Sequence, residues 1–153
     1  MSEDELKQML YAYPHITQGV VELNRELSDI VKMKSENSYI ASSRLDGMPG
    51  SPNVGDPLLD HVIYLDERYR RSVDSKVREI NRLLDMKESV EKILRWLWLN
   101  DSSDNKSEYA LIQLRYFDRE GWVSISMKLN FDEKWIYKVH SRSIEKILKW
   151  WMT

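Results

Sequence analysis

At 153 residues the chain can bury a real core, as one domain or two small ones. It holds no cysteine, which excludes disulfides and thiolate metal sites. Its formal net charge of -2 excludes a chain built as a simple polycation, so any attraction for nucleic acid must come from a local basic face.

The first ten residues, MSEDELKQML, are acidic and lack the basic flank and long apolar run of a secretory signal. No window approaches the roughly 20 apolar residues of a membrane span. The expectation is a soluble, cytoplasmic protein with no membrane partner. Residues 2–12 can form a short helix, and Pro14 sits where a longer one can start, at a first-turn position that loses no hydrogen bond. Ile16, Val20, Leu23, Leu27 and Ile30 then recur at spacings of four, three, four and three. That heptad seam predicts an amphipathic helix over 14–34, within an N-terminal segment of 1–35. It requires a partner helix, either inside the chain or in a second copy, and so permits a homodimer through the N-terminal helices.

Residues 36–57 change character. Three of the four prolines and three of the five glycines fall in this serine-rich stretch, which predicts a loop. A second helix is expected from Leu58 to about 85, with Asp56 as its cap and Pro57 in its first turn. Its face carries Val62, Leu65, Tyr69, Val73, Val77, Ile80 and Leu84. A further helical segment up to residue 100 has Val90, Ile93, Leu94 and Leu97 on one side, so Trp96 and Trp98 cannot both lie there. One of them should meet the C-terminal unit. The simplest arrangement is an antiparallel hairpin of 14–34 against 58–85, within central helices spanning 58–100.

Asp101–Asp104 is a polar break, and Ser107 or Asp104 can cap the next helix. From 106 to 153 the pattern is helix, break at Gly121, short helix WVSISMKLN, turn over Asn130–Asp132, and a long last helix from about Glu133. This is the order of a helix-turn-helix. Between Gly121 and the end there are six Lys or Arg against three acids, and five of the six lie on the last helix. Its inward face should carry Ile136, Val139, Ser143, Ile147 and Trp150, with His140 and Ile144 beside it, docked on Ile125, Leu129, Leu111, Leu114 and Phe117. Phe131 should plug the turn. The outward face should carry Lys134, Tyr137, Lys138, Ser141, Arg142 and Glu145, flanked by Trp135 and followed by Lys146. Trp122 and Ser124 open the short helix, where backbone amides favour an anion. All of these residues except Glu145, nine in number, are the expected double-stranded DNA contacts, with Arg142 and Lys138 suited to guanine or phosphate. No strand-like alternation of useful length occurs. The fold class expected is all-α, a long antiparallel helical hairpin plus a C-terminal helix-turn-helix bundle.

Chemistry for catalysis is not legible. His15, His61 and His140 have no metal-ligand spacing, and no phosphate loop, nucleophile elbow or H-E-x-x-H motif occurs. The chain reads as a non-enzyme without a cofactor, and His140 as structural.

The segment from Ala110 to Ile147 resembles region 4 of sigma factors, and more closely the sigma-like bacteriophage regulators of the RinA/ArpU group. The motifs are the LRYF run Leu114–Phe117, the opening Trp122, Ile125 and Ser126 of the short helix, and the closing series His140, Arg142, Ser143, Ile144, Lys146 and Ile147. The stretch RLDGMPGSPNVGDP is similar to the segment these proteins place before their central helix, so the resemblance covers roughly 40–150. Ser143 stands where alanine is usual, and Asp132–Glu133 open the last helix. The resemblance implies a sigma region 4-like bundle in a phage or prophage activator of late-gene type, acting in the bacterial host cytoplasm on promoter DNA and in contact with RNA polymerase. Two other readings fit the same pattern. One is a helical adaptor that binds RNA polymerase without DNA contact. The other is a phage DNA-packaging subunit of small-terminase type, whose DNA-binding unit usually comes first rather than last.

Overall fold

The computed structural model describes residues 1–45 and 57–153, Asp104 excepted, and all of the regular structure among them is helical. The elements are α1 (Glu3–Leu45), α2 (Pro57–Asn100), α3 (Ser107–Ile112), α4 (Trp122–Leu129) and α5 (Glu133–Trp151). A π-helical turn over Gln113–Phe117 extends α3. The protein is all-α, and α1 and α2 form the long antiparallel hairpin.

The helix expected to start at Pro14 starts at Glu3 instead, with Pro14 inside it. Ser2 and Glu5 form a reciprocal capping box: the Glu5 amide donates to the Ser2 hydroxyl at 3.2 Å, and the Ser2 amide donates to the Glu5 carboxylate at 2.7 Å. Burial of Leu6, Leu10 and Ile16 on both sides of the exposed proline holds the helix through it, a tertiary override of local propensity. Helix α1 also runs on to Leu45, into the stretch expected to be loop from 36; the rest of that loop and the Asp56 cap lie outside the described residues. Pro57 does open α2, which continues without interruption to Asn100 and absorbs the two segments expected there.

The chain divides into two compact units. Unit 2, Gln18–Leu83, is a length of the hairpin. Lys34 meets Asp66 at 2.7 Å and lies over the Tyr69 ring, Lys76 meets Glu26, and Gly19 faces Leu83, so the two helices run in opposite directions. None of the described residues of this unit is buried; the seam residues Val20, Leu23, Leu27 and Ile30 are half-covered.

Unit 1 contains Met1–Thr17 and Leu84–Thr153. The helix-turn-helix unit is therefore larger than 106–153, because two helix ends complete its core. One buried cluster joins Leu6, Leu10, Val90, Ile93 and Leu97 to Ile112, Tyr116, Ile144 and Ile147. A second joins Leu111, Ile125, Ile136 and Val139, with Leu114, Trp122 and Leu129 around it. Helix α5 enters both. Phe117 belongs with the first, against the Tyr13 ring at 5.0 Å, and not under α5 with Leu111 and Leu114 as expected. Both tryptophans of α2 meet the C-terminal helices: Trp96 stacks on Trp150 at 4.9 Å, and Trp98 meets Tyr109 edge-on at 5.0 Å.

The start of α3 is capped from a distance rather than by Ser107. Asp101 is buried and accepts the Tyr109 amide at 3.1 Å, while the Ser107 amide donates to the Ser103 hydroxyl at 2.8 Å. Burial alone would raise the Asp101 pKa, but hydrogen bonds from Ser103 and Tyr109 outweigh it and hold the carboxyl below its ordinary range.

Candidate nucleic-acid interface

Helix α5 sorts its side chains by the 3.6-residue period. Ile136, Val139, His140, Ser143, Ile144 and Ile147 are buried, whereas Lys134, Trp135, Tyr137, Lys138, Ser141 and Arg142 are exposed. The Ser143 hydroxyl donates to the Val139 carbonyl at 2.8 Å, which satisfies this buried polar group. Lys134, Lys138 and Arg142 have no acidic partner among the described residues. Arg142 lies 5.8 Å from the Trp135 ring, and the Phe131 ring lies 6.5 Å from it. Phe131 is thus an exposed neighbour of Trp135, not the plug of the turn. The turn itself is made by Asn130, which ends α4 in the left-handed region at φ 55°, a conformation that asparagine tolerates.

Three expected contacts have other partners. Lys146 donates to Glu108 at 2.9 Å and to the Asn100 carbonyl at 3.0 Å, so its charge sits on the C-terminus of α2, where helix carbonyls lack partners. Ser124 donates to Glu120 at 2.6 Å, and Lys128 pairs with the same carboxylate. The anion at the start of α4 is therefore the chain's own Glu120, whose pKa these hydrogen bonds lower, Lys128 first and Ser124 second. Trp122 is half-buried: the Arg115 guanidinium lies 4.3 Å over its ring, with Tyr137 at 4.8 Å and His140 at 4.9 Å. It wedges α4 against α5 and braces Tyr137 from below.

Behind the exposed face lies a buried polar pair. The Tyr116 hydroxyl and His140 Nε2 are 2.8 Å apart, within hydrogen-bond distance. Burial, then the positive charges of Lys7 and Arg115, push the His140 pKa down to about 4 from an ordinary 6.5. Below pH 6.5 the unfolded chain takes up a proton that the folded ring refuses. Stability is thus complete above about 6.5 and falls as the pH drops towards 4, by up to about 3 kcal/mol. Thermal melting followed from pH 7.5 to 4 should show this loss, and His140→Gln should flatten it. Parallel curves for the two proteins would place the acid sensitivity elsewhere.

Sequence periodicity overlooked a second exposed feature. Val123 and Met127, one turn apart on α4, are 56% and 74% exposed. Their i, i+4 spacing on the side of α4 opposite Ile125 was the available signal.

No helix of the described residues is long and apolar enough to cross a membrane. Comparison of the chain with protein-family models, with curated proteins and with solved structures gives no match.

Proposed function

We propose that this protein is a sequence-specific DNA-binding transcriptional regulator, of the sigma-like phage type, that reads the major groove of double-stranded DNA with α5. The observation that carries the reading is the division of α5 itself. One face is locked in two buried clusters, and the other presents three cations without acidic partners among the described residues, two aromatics and a serine, with Glu133 and Glu145 at its ends. Rigid support of this kind suits base readout, in which side chains must be held in register by the scaffold. Near the start of the helix, Lys134, Tyr137 and Lys138 would meet base edges, and Arg142 further on would meet a base or a phosphate. If the hairpin joins two copies, two such helices would address half-sites about one DNA turn, roughly 34 Å, apart.

Fluorescence anisotropy with labelled duplexes from around the protein's own gene, titrated at several salt concentrations, tests the reading. Saturable binding that prefers some fragments and weakens steeply with salt is expected, since each neutralised phosphate contributes roughly 0.9 to the slope of log affinity against log salt. Absence of binding at low salt would end it.

The exposed pair Val123 and Met127 favours a second reading, a helical adaptor that binds RNA polymerase through apolar contact. Capture of RNA polymerase that survives high salt, together with indifference to DNA, would select it.

A further inference from the structure

Within the unit Gln18–Leu83, a cleft of about 450 Å³ is lined by Tyr64, Arg68, Arg71, Ser72, Ser75 and Lys76, over Ile30. Three cations and three hydroxyls converge there, and no carboxylate is among the lining side chains. Lys76 pairs with Glu26 at the margin. Arg71 reaches Glu67 only at 4.0 Å, with its side chain 74% exposed, an ion pair too long and too wet to occupy the guanidinium. Arg68 is exposed and has no acidic partner among the described residues.

The basic character continues along the helix beyond the cleft. Tyr64, Arg68, Arg71, Ser75, Arg78 and Arg82 recur at spacings of four, three, four, three and four, which puts them on one stripe of α2. A rise of 1.5 Å per residue places Arg78 about 15 Å along the axis from Arg68; Arg82, a turn beyond, donates to Glu79 at 3.0 and 2.7 Å and is held by that carboxylate. A compact anion would engage one point of such a stripe; a row of phosphates matches its length. A lipid surface would need apolar side chains interleaved with the arginines to enter the acyl boundary, and Tyr64 is the sole aromatic of the stripe.

We propose that this arginine stripe on α2 is a second DNA contact, gripping the phosphodiester backbone without regard to sequence through Arg68 and Arg71. The proposal rests on the DNA-binding reading of α5 and adds to it a source of affinity separate from the source of specificity. It also offers a chain of net charge -2 a local group of cations for phosphate.

The test is salt-dependent anisotropy on the full chain, with R68A/R71A, R68K/R71K and K138A/R142A beside the wild type. R68A/R71A should weaken binding to specific and unrelated duplexes alike, by about tenfold at moderate salt, and should lower the salt slope by about 1.8, the value for two phosphates. R68K/R71K should restore the slope, because lysine keeps the charge. Wild-type affinity and slope in R68A/R71A, with binding lost in K138A/R142A, would overturn the stripe and leave the α5 reading intact. The reverse pattern would support the stripe and remove α5 as the reader. Loss of anionic phosphatidylserine vesicle binding in R68A/R71A, with DNA binding unchanged, would overturn the proposal in favour of a membrane contact. The arginines are exposed, so all four proteins should melt alike by circular dichroism.

Discussion

Alanine at both Lys138 and Arg142 is expected to reduce affinity for the preferred DNA fragment by about a hundredfold or more while leaving the melting temperature within error of wild type. The size reflects the contacts these side chains suit, since a well-formed bidentate contact to a base contributes about 1–3 kcal/mol. The unchanged stability reflects their position. Both are exposed on α5, and neither holds an ion pair among the described residues; Arg142 gives up only a distant approach to Trp135. Discrimination between fragments should fall along with affinity, because the loss is on the side of base readout. A uniform weakening, with preference between fragments unchanged, would assign both residues to phosphates. Undiminished binding would remove this face from the DNA contact altogether. Lys146→Ala should behave differently, costing stability more than DNA affinity, because its charge is committed to Glu108 and the end of α2.

The second large effect is expected far from α5 in sequence. Leu6 and Leu10 are fully buried among Val90, Ile93, Leu97, Tyr116 and Ile147. Truncating a buried leucine to alanine costs about 2–5 kcal/mol, so Leu6→Ala with Leu10→Ala removes an amount comparable to the roughly 5–15 kcal/mol that holds a domain folded. The double variant should unfold α3, α4 and α5 together with the end of α2, visible as loss of far-ultraviolet helix signal and of near-ultraviolet tryptophan signal from Trp96, Trp122 and Trp150. A C-terminal fragment beginning at residue 106 should fail to fold for the same reason. If that fragment folded and bound DNA, the helix-turn-helix would be autonomous and the N-terminal turns merely an addition to it.

The exposed and buried faces of α5 could be read from the chain because helical periodicity is local. Residues at i, i+3 and i+4 must share a face, and a stripe as apolar as Ile136, Val139 and Ile147 has to be covered. The same logic found the hairpin, α4 and the break before α5. Local signals were also present and unused at the N-terminus, where Ser2 and Glu5 stand at capping-box spacing and mark the true start of α1.

Periodicity and composition were enough to establish that the chain is helical, which face of α5 stays in solvent, and where its basic residues gather. Tertiary structure decided what depends on partners remote in the chain. Pro14 lies inside a helix because packing on either side outweighs its local preference. Lys146 leaves the outward set because Glu108 and the Asn100 carbonyl, 38 and 46 residues away, come within hydrogen-bond reach. The first turns of α1 join the helix-turn-helix because a three-helix unit of this size leaves Ile112, Tyr116, Ile144 and Ile147 uncovered until Leu6, Leu10, Val90, Ile93 and Leu97 close over them. Helical period specifies which side of an element must be buried, but the identity of what buries it depends on chain closure over long separations.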